Sequence, residues 1–517
     1  MSSSRFDAIV IGAGHNGLTA AAYLARAGRS VLVVEARDQI GGMSGTGEIA
    51  KGFQASTCAH LLYGLHPRIV RDLNLYRNGL QYSERRIPTI GLHEEGDHLV
   101  LANDVWHDRA SIGRHSKLDA DAYASFQKRM IRLAWSLQSF LLQPPPVAAA
   151  ETRPVAGAVR RLGEDGGALQ RMAFASAADV VESAFESDIV RGTLAADAVM
   201  GGALGPREPG TMLPWLYRLM GECSGVKGAV GHPRGGMGAV CEALWASARE
   251  KGAALRMGAR VAHILVERDA VTGIVLEDGE EVRAPVILSS LDPRRTFLDL
   301  VGAEQFDSEF TGALRQWRSE GRAAKINLAL DGMPGFKGID KAYLNGRFLI
   351  APDLDHLENA AVPAKYGEFT EFPVIEAVIP SVHDGTLAPE GCHVLSAVMQ
   401  FVPFAPAGGW DAHRDWLKNL VIGRLAAFAP DLPDRVLGAQ VFTPADLEAE
   451  YGCSGGHWHH GELAFDQFGP LRPDPQVLRG AGPIRNLYLC GAGAHPGGGV
   501  TGAPGYNAAR LALEMEG

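Results

Sequence analysis

Runs and alternations of apolar residues divide the chain into elements before any chemistry is considered. Residues 6–11 form a short apolar run of strand character, 18–27 carry a helical pattern, and 30–34 form a second strand. From about residue 85 the period changes. Residues 87–92 and 98–101 flank Glu94-Glu95-Gly96-Asp97 and predict a β-hairpin. Residues 119–142, with Tyr123, Phe126, Ile131, Trp135 and Phe140, predict a helix that grows more apolar until Pro144-Pro145-Pro146 stops it. An irregular linker is expected over 147–160. Helices dominate 164–222, where Ser176 and Asp179 stand at capping-box spacing. A helix over 239–251 leads to strands over 254–257 and 259–266, a hairpin over 273–283 and a returning apolar strand over 285–290. Strands over 325–330, 392–401 and 486–490 and helices over 410–428 and 505–516 complete the pattern, that of an α/β protein.

The joint between the first strand and the first helix is Gly12-Ala13-Gly14-His15-Asn16-Gly17, and the second strand ends at Glu35. Strand, glycine turn, helix, strand and acid within about thirty residues form the context a dinucleotide fingerprint requires. Gly12 permits the tight turn, Gly14 leaves the backbone bare for a pyrophosphate, and Gly17 lets the helix pack close to the sheet. The free N–H groups that open the helix, together with its dipole, hold phosphate charge. Glu35 is placed to accept both hydroxyls of an adenosine ribose and would repel a 2′-phosphate. A bound ADP moiety is expected, with Ala13 and Asn16 in the same turn.

Two further glycine segments extend the reading. Ala36-Arg37 leads into Gly41-Gly42-Met43-Ser44-Gly45, where bare backbone can run past a pyrophosphate or an isoalloxazine ring. If the strand over 285–290 returns to the opening domain, Val261 lies near the adenine and offers only backbone groups, with Ser289 as a further cofactor contact. Near the other end, Gly491-Ala492-Gly493 and Gly498-Gly499-Val500-Thr501-Gly502 separate a strand from a helix. That arrangement suits the N1–C2=O edge of a flavin.

Composition adds mainly exclusions. The net charge of −10 and the lack of a dense basic patch argue against a nucleic-acid partner. Six scattered cysteines with no C-x-x-C pair argue against a dithiol centre or a cysteine zinc site, and point to buried thiols in a reducing compartment. The first strand begins at residue 6, and no apolar stretch reaches the roughly 18 residues of a membrane span, so a soluble cytoplasmic protein is expected. Cys453-Ser454-Gly455-Gly456-His457-Trp458-His459-His460 concentrates histidines without an acidic or cysteine partner at ligand spacing; no metal is assigned. His60, His457 and His459 are the candidate catalytic groups, with a packed structural role as the alternative for each.

With these segments in hand, the chain resembles the flavin amine oxidase superfamily, and within it the phytoene-desaturase-like branch, in particular the group called pyridine nucleotide-disulphide oxidoreductase domain 2-like. The resemblance rests on residues 10–18, 34–37 with Gly41-Gly42, Pro233-Arg234-Gly235-Gly236-Met237-Gly238, and 487–502. It implies noncovalent FAD held by a Rossmann-like domain in three pieces, 1–84, 225–300 and 461–517. A substrate domain of mixed sheet and helices fills 85–224 and 301–460. Many relatives carry Gly-Asp where this chain has Gly491-Ala492, which favours the desaturase-like members over the amine oxidases. No second glycine fingerprint is present for a tightly bound nicotinamide. The leading expectation is an oxidoreductase moving a hydride from a C–H bond of a lipophilic small molecule to flavin N5. An amine oxidase using O2 and a flavin-bound scaffold with vestigial activity remain the alternatives. A peripheral membrane contact and a homo-oligomer stay open.

Overall fold

Three distant stretches of chain meet in one parallel sheet. Its strands, in spatial order, are Ala254–Arg256, Val31–Val34, Ala8–Ile11, Val286–Ser289 and Leu487–Leu489. The computed structural model describes residues 6–143, 157, 160, 162–475, 477 and 482–515. The proline stop at 144–146 and, apart from 157 and 160, the linker over 147–160 lie outside the described residues.

The continuous apolar runs follow from burial on both faces. Side chains alternate along the opening strand, so Ala8 and Val10 join the core formed with the helices His15–Arg26, Gly238–Glu250 and Ala503–Met515. Ile9 and Ile11 pack on the opposite face, against the antiparallel meander Val261–Glu267, Ala270–Leu276 and Glu281–Arg283. Each fully buried isoleucine contributes roughly 1.5–3 kcal/mol. Glycine brings the opening and closing helices together: a Cβ on Gly505 would lie 2.1 Å from the Asn16 carbonyl oxygen.

The second layer is a seven-stranded mixed sheet in the order Val436–Phe442, Ala323–Leu330, His393–Gln400, Val374–Val378, Arg347–Ile350, Thr89–Gly91 and Leu99–Leu101. The expected hairpin forms its edge, Thr89 opposite Leu101. All neighbours are antiparallel except Arg347–Ile350 with Thr89–Gly91. The helix read over 119–142 is Lys117–Ser136 followed by a 3-10 turn Gln138–Leu142. Its aromatic face is core: Phe126 meets Phe185 edge-on at 4.9 Å and Trp215 at 6.2 Å. Ser176 caps Ala177–Glu182 by accepting the Asp179 N–H at 3.0 Å. Among the described residues no helix is long and apolar enough to cross a membrane.

Candidate functional site

The strands' carboxyl ends open into one large cavity of about 1930 Å3 counting its mouth. Its walls come from the fingerprint turn, from the 41–44 segment, from 58–63, from the helix Met212–Leu219, and from the loops around 458–463 and 492–500.

The fingerprint glycines divide the labour by geometry. Gly12 has φ +93°, and a Cβ there would strike the Ser290 hydroxyl at 2.3 Å. A Cβ on Gly17 would lie 2.1 Å from the Gly12 carbonyl oxygen, whereas one on Gly14 would meet nothing within 4 Å. The turn is therefore tight inside and bare on the cavity side, as a phosphate cradle must be. Glu35 sits where the second strand ends; its Oε2 accepts the Ala13 N–H at 2.7 Å and its Oε1 the Arg37 N–H at 3.0 Å. Those bonds fix the carboxylate and leave each oxygen a lone pair for a hydroxyl. Arg37 stacks 4.5 Å from the Tyr451 ring, closing this end. Gly41 donates to the Ala13 carbonyl at 2.9 Å, laying the 41–44 segment along the fingerprint.

His15 joins three glycine segments. Its Nδ1 lies 2.9 Å from the Ser44 hydroxyl and its Nε2 3.1 Å from the Gly499 carbonyl. Burial pushes it down to about 4, so it is neutral at pH 7, with Nε2–H donating to the carbonyl and Nδ1 accepting from the serine.

Of the positions singled out in the sequence, Gly12, Gly14, Asn16, Glu35, Ala36, Arg37, Gly41, Gly42, Met43, Ser44, Val261, Ala492, Gly499, Val500, His60 and His459 border the cavity. The others stand behind its wall. Ala13 contributes its N–H to Glu35, and Gly17 packs on Gly12. Gly491 approaches the Ser290 carbonyl, where a Cβ would come within 2.3 Å; a Cβ on Gly498 would come within 2.0 Å of His459 Nδ1. Ser289 faces the core and shares a 2.7 Å hydrogen bond with Thr296, so the next residue, Ser290, borders the cavity instead. His457 is buried with its Nε2 3.6 Å from Glu462 Oε2. His459 and His460 border the cavity, and burial lowers both, His460 to about 4.

Beside His60 lies a buried charge network that sequence reasoning missed. Lys325 Nζ is 2.6 Å from His60 Nδ1, and His60 Nε2 is 2.8 Å from Glu376 Oε1. Arg347 Nε holds the other Glu376 oxygen. Arg347 and Arg218 both reach Asp197 Oδ1, at 2.7 and 3.0 Å. Burial, reinforced by the Lys325 charge, pushes His60 down to about 4; burial pulls Lys325 down to about 7. Glu376 is held well below the usual carboxylate range, because Arg347 and His60 outweigh the opposing effect of burial. These directions fix one arrangement: an ionised Glu376 accepts from His60 Nε2–H, and the neutral ring's Nδ1 accepts from Lys325. The wall is completed by Tyr63, under Arg218 at 5.0 Å, and Tyr217, whose hydroxyl donates to the Gly498 carbonyl at 2.8 Å.

The comparisons with known proteins agree with this architecture. Residues 10–74 match the model of the NAD(P)-binding Rossmann-like domain. The chain is 37% identical to pyridine nucleotide-disulfide oxidoreductase domain-containing protein 2 of Rattus norvegicus, over 98% of this chain and 93% of that one. It is 27% identical to a limonene dehydrogenase component of Castellaniella defragrans, over 98% and 94%. A solved oxidoreductase from Methanosarcina mazei superposes with a TM-score of 0.62 at 19% identity, covering 99% of this chain and all of that one, which shows a shared fold. Near-complete alignment to the rat protein at 37% identity places the chain in the pyridine nucleotide-disulfide oxidoreductase domain-containing protein 2 family.

Proposed function

We propose that the chain is an FAD-dependent dehydrogenase that removes a hydride from a C–H bond of a lipophilic small molecule. The observation that carries the reading is the cavity itself. It runs along the ends of the parallel strands with Glu35 at one end, the bare Gly14 backbone at its middle and the Gly499–Val500 loop beyond. Gly12, Gly14, Asn16 and the helix they open would hold the pyrophosphate, and Glu35 the adenosine ribose. The 41–44 segment and the 498–500 loop would hold the flavin half. FAD supplies a two-electron acceptor when bound.

The residues around the remaining space do the rest. Leu61, Met200, Pro214, Val398 and Leu463 give an apolar lining that excludes water and suits a hydrocarbon chain. One relative bears the name limonene dehydrogenase, and limonene is a hydrocarbon, in keeping with that lining. Glu376 holds His60 in one tautomer, and His60 presents its Nδ1 to Lys325. The amine at Nζ, lowered to about 7, can hold or release a proton near neutral pH. Anaerobic mixing of the yellow holoprotein with isoprenoid hydrocarbons and alcohols should bleach the flavin band. Failure of every lipophile, with bleaching by an amine and peroxide release in air, would favour the amine oxidase reading. Tyr63 and Tyr217, aromatic rings that both border the cavity, are the feature that keeps that second reading in play.

A further inference from the structure

Arg472 heads the largest fully buried side chains of the described residues. Its guanidinium spends its donors on carbonyl oxygens alone. Nε and Nη2 reach Ala492 at 3.1 and 2.9 Å, Nη1 reaches Glu462 and Gln467 at 2.9 and 3.0 Å, and Nη2 also reaches Gly461 and His459. Its plane stands over Trp317 at 5.5 Å. No carboxylate among the described residues makes an ion pair with it, and the Glu462 side chain is engaged with His457 and the Ala203 N–H. Carbonyl dipoles solvate this cation but do not cancel its charge. Burial lowers it only to about 10, so it stays protonated at neutral pH.

The position of that charge is specific. Ala492 and His459 both border the cavity, so the guanidinium lies one peptide carbonyl behind the wall. Ala492 follows the strand Leu487–Leu489 and Glu35 follows Val31–Val34, with two strands between them. Three interstrand spacings amount to about 14 Å. The cation therefore stands away from the ribose-binding end, beside the part of the cavity left for the ring system. Its field reaches the neighbours there: it opposes protonation of His459, His460 and His495 and favours ionisation of Tyr217.

We propose that Arg472 is a built-in counter-cation for the reduced flavin, stabilising the negative charge that the ring acquires when it gains two electrons and one proton as hydride. The inference rests on the FAD reading above. A residue serving only to tie the 459–467 turn to the Ala492 loop would leave ring electrostatics untouched when another cation replaced it or when its charge was removed.

Sulfite is the probe. Its sulfur lone pair adds to flavin N5, nothing is expelled, and the ring gains net negative charge, so the affinity reports the local potential. Wild-type holoprotein should form the colourless adduct. Arg472→Lys should bind sulfite within about threefold of wild type, and Arg472→Gln at least tenfold more weakly. The reduction potential of the Gln variant should fall by about 30 mV for each tenfold loss. A yellow wild type that refuses sulfite overturns the inference while leaving the FAD reading intact, as does a folded Gln variant with wild-type sulfite affinity. Should the Gln variant fail to fold, the wild-type titration decides alone. A wild type that takes up no FAD overturns both readings.

Discussion

The sharpest quantitative consequence concerns Lys325. In the unfolded chain its amine titrates at the ordinary 10.5; inside the fold burial brings it to about 7. Below pH 7 both states are protonated, and the fold bears the whole cost of burying the cation. Between 7 and 10.5 the unfolded chain holds a proton that the folded one lacks, so stability rises with pH; above 10.5 the cost is gone. A displacement of about 3.5 units corresponds to roughly 5 kcal/mol, of which about 4 should be recovered between pH 6 and pH 10. Lys325→Met keeps the length of the side chain and removes the titration. It forfeits the hydrogen bond to His60 Nδ1, a loss of about 1 kcal/mol that is constant over this range because His60 titrates near 4. Urea midpoints of both FAD-saturated proteins, measured from pH 6 to pH 10, test this. The variant should be favoured most at pH 6, with the advantage shrinking by about 4 kcal/mol as pH rises. Parallel stability curves for the two proteins would refute the account of Lys325 as a buried amine titrating near neutrality.

Four other outcomes can be checked directly. Gly14→Ala should leave the apoprotein within about 0.5 kcal/mol of wild type yet weaken FAD at least tenfold, because its methyl enters open cavity space. Gly17→Ala, with a Cβ 2.1 Å from the Gly12 carbonyl, should lose several kcal/mol of stability; thermal melts and FAD titrations separate the pair. Glu35→Gln should weaken FAD by about 1–2 kcal/mol, roughly 5- to 30-fold, in fluorescence titration of the apoprotein; unchanged affinity would remove Glu35 from the ribose site. Of the six cysteines only Cys392 is not buried, and burial raises Cys58, Cys223, Cys241, Cys453 and Cys490, so one thiol should react rapidly with a disulfide reagent before denaturation and six after it.

What could be read from the sequence was local. The turn at 12–17 and Glu35 are neighbours in both chain and space, because strand, helix and strand follow one another without interruption. The facing of a buried strand was harder to read. An apolar run covered on both sides carries no polar alternation to mark which residue looks outward, and so Ser289 stood in for Ser290. The charge network was illegible for another reason. Lys325 and Glu376 stand 265 and 316 positions from His60, and each of the three lies in an ordinary strand or loop. Only the mixed sheet's pairing of Ala323–Leu330 with His393–Gln400, and of the latter with Val374–Val378, sets Lys325 and Glu376 on a common platform. A lysine inside an apolar strand was the one available hint, since such a residue is seldom buried without a partner.

The close seat of Gly505 on Asn16 has a bearing on biosynthesis. The glycine turn leaves the ribosome well before the helix that leans on it, whose Gly505 is translated 488 residues after Gly17. At about 5–20 residues per second that interval lasts roughly half a minute to a minute and a half. Throughout it, the face of the opening helix that later meets Gly505 has no mate. The cradle formed by the two helices is thereby incomplete until the closing helix has been made.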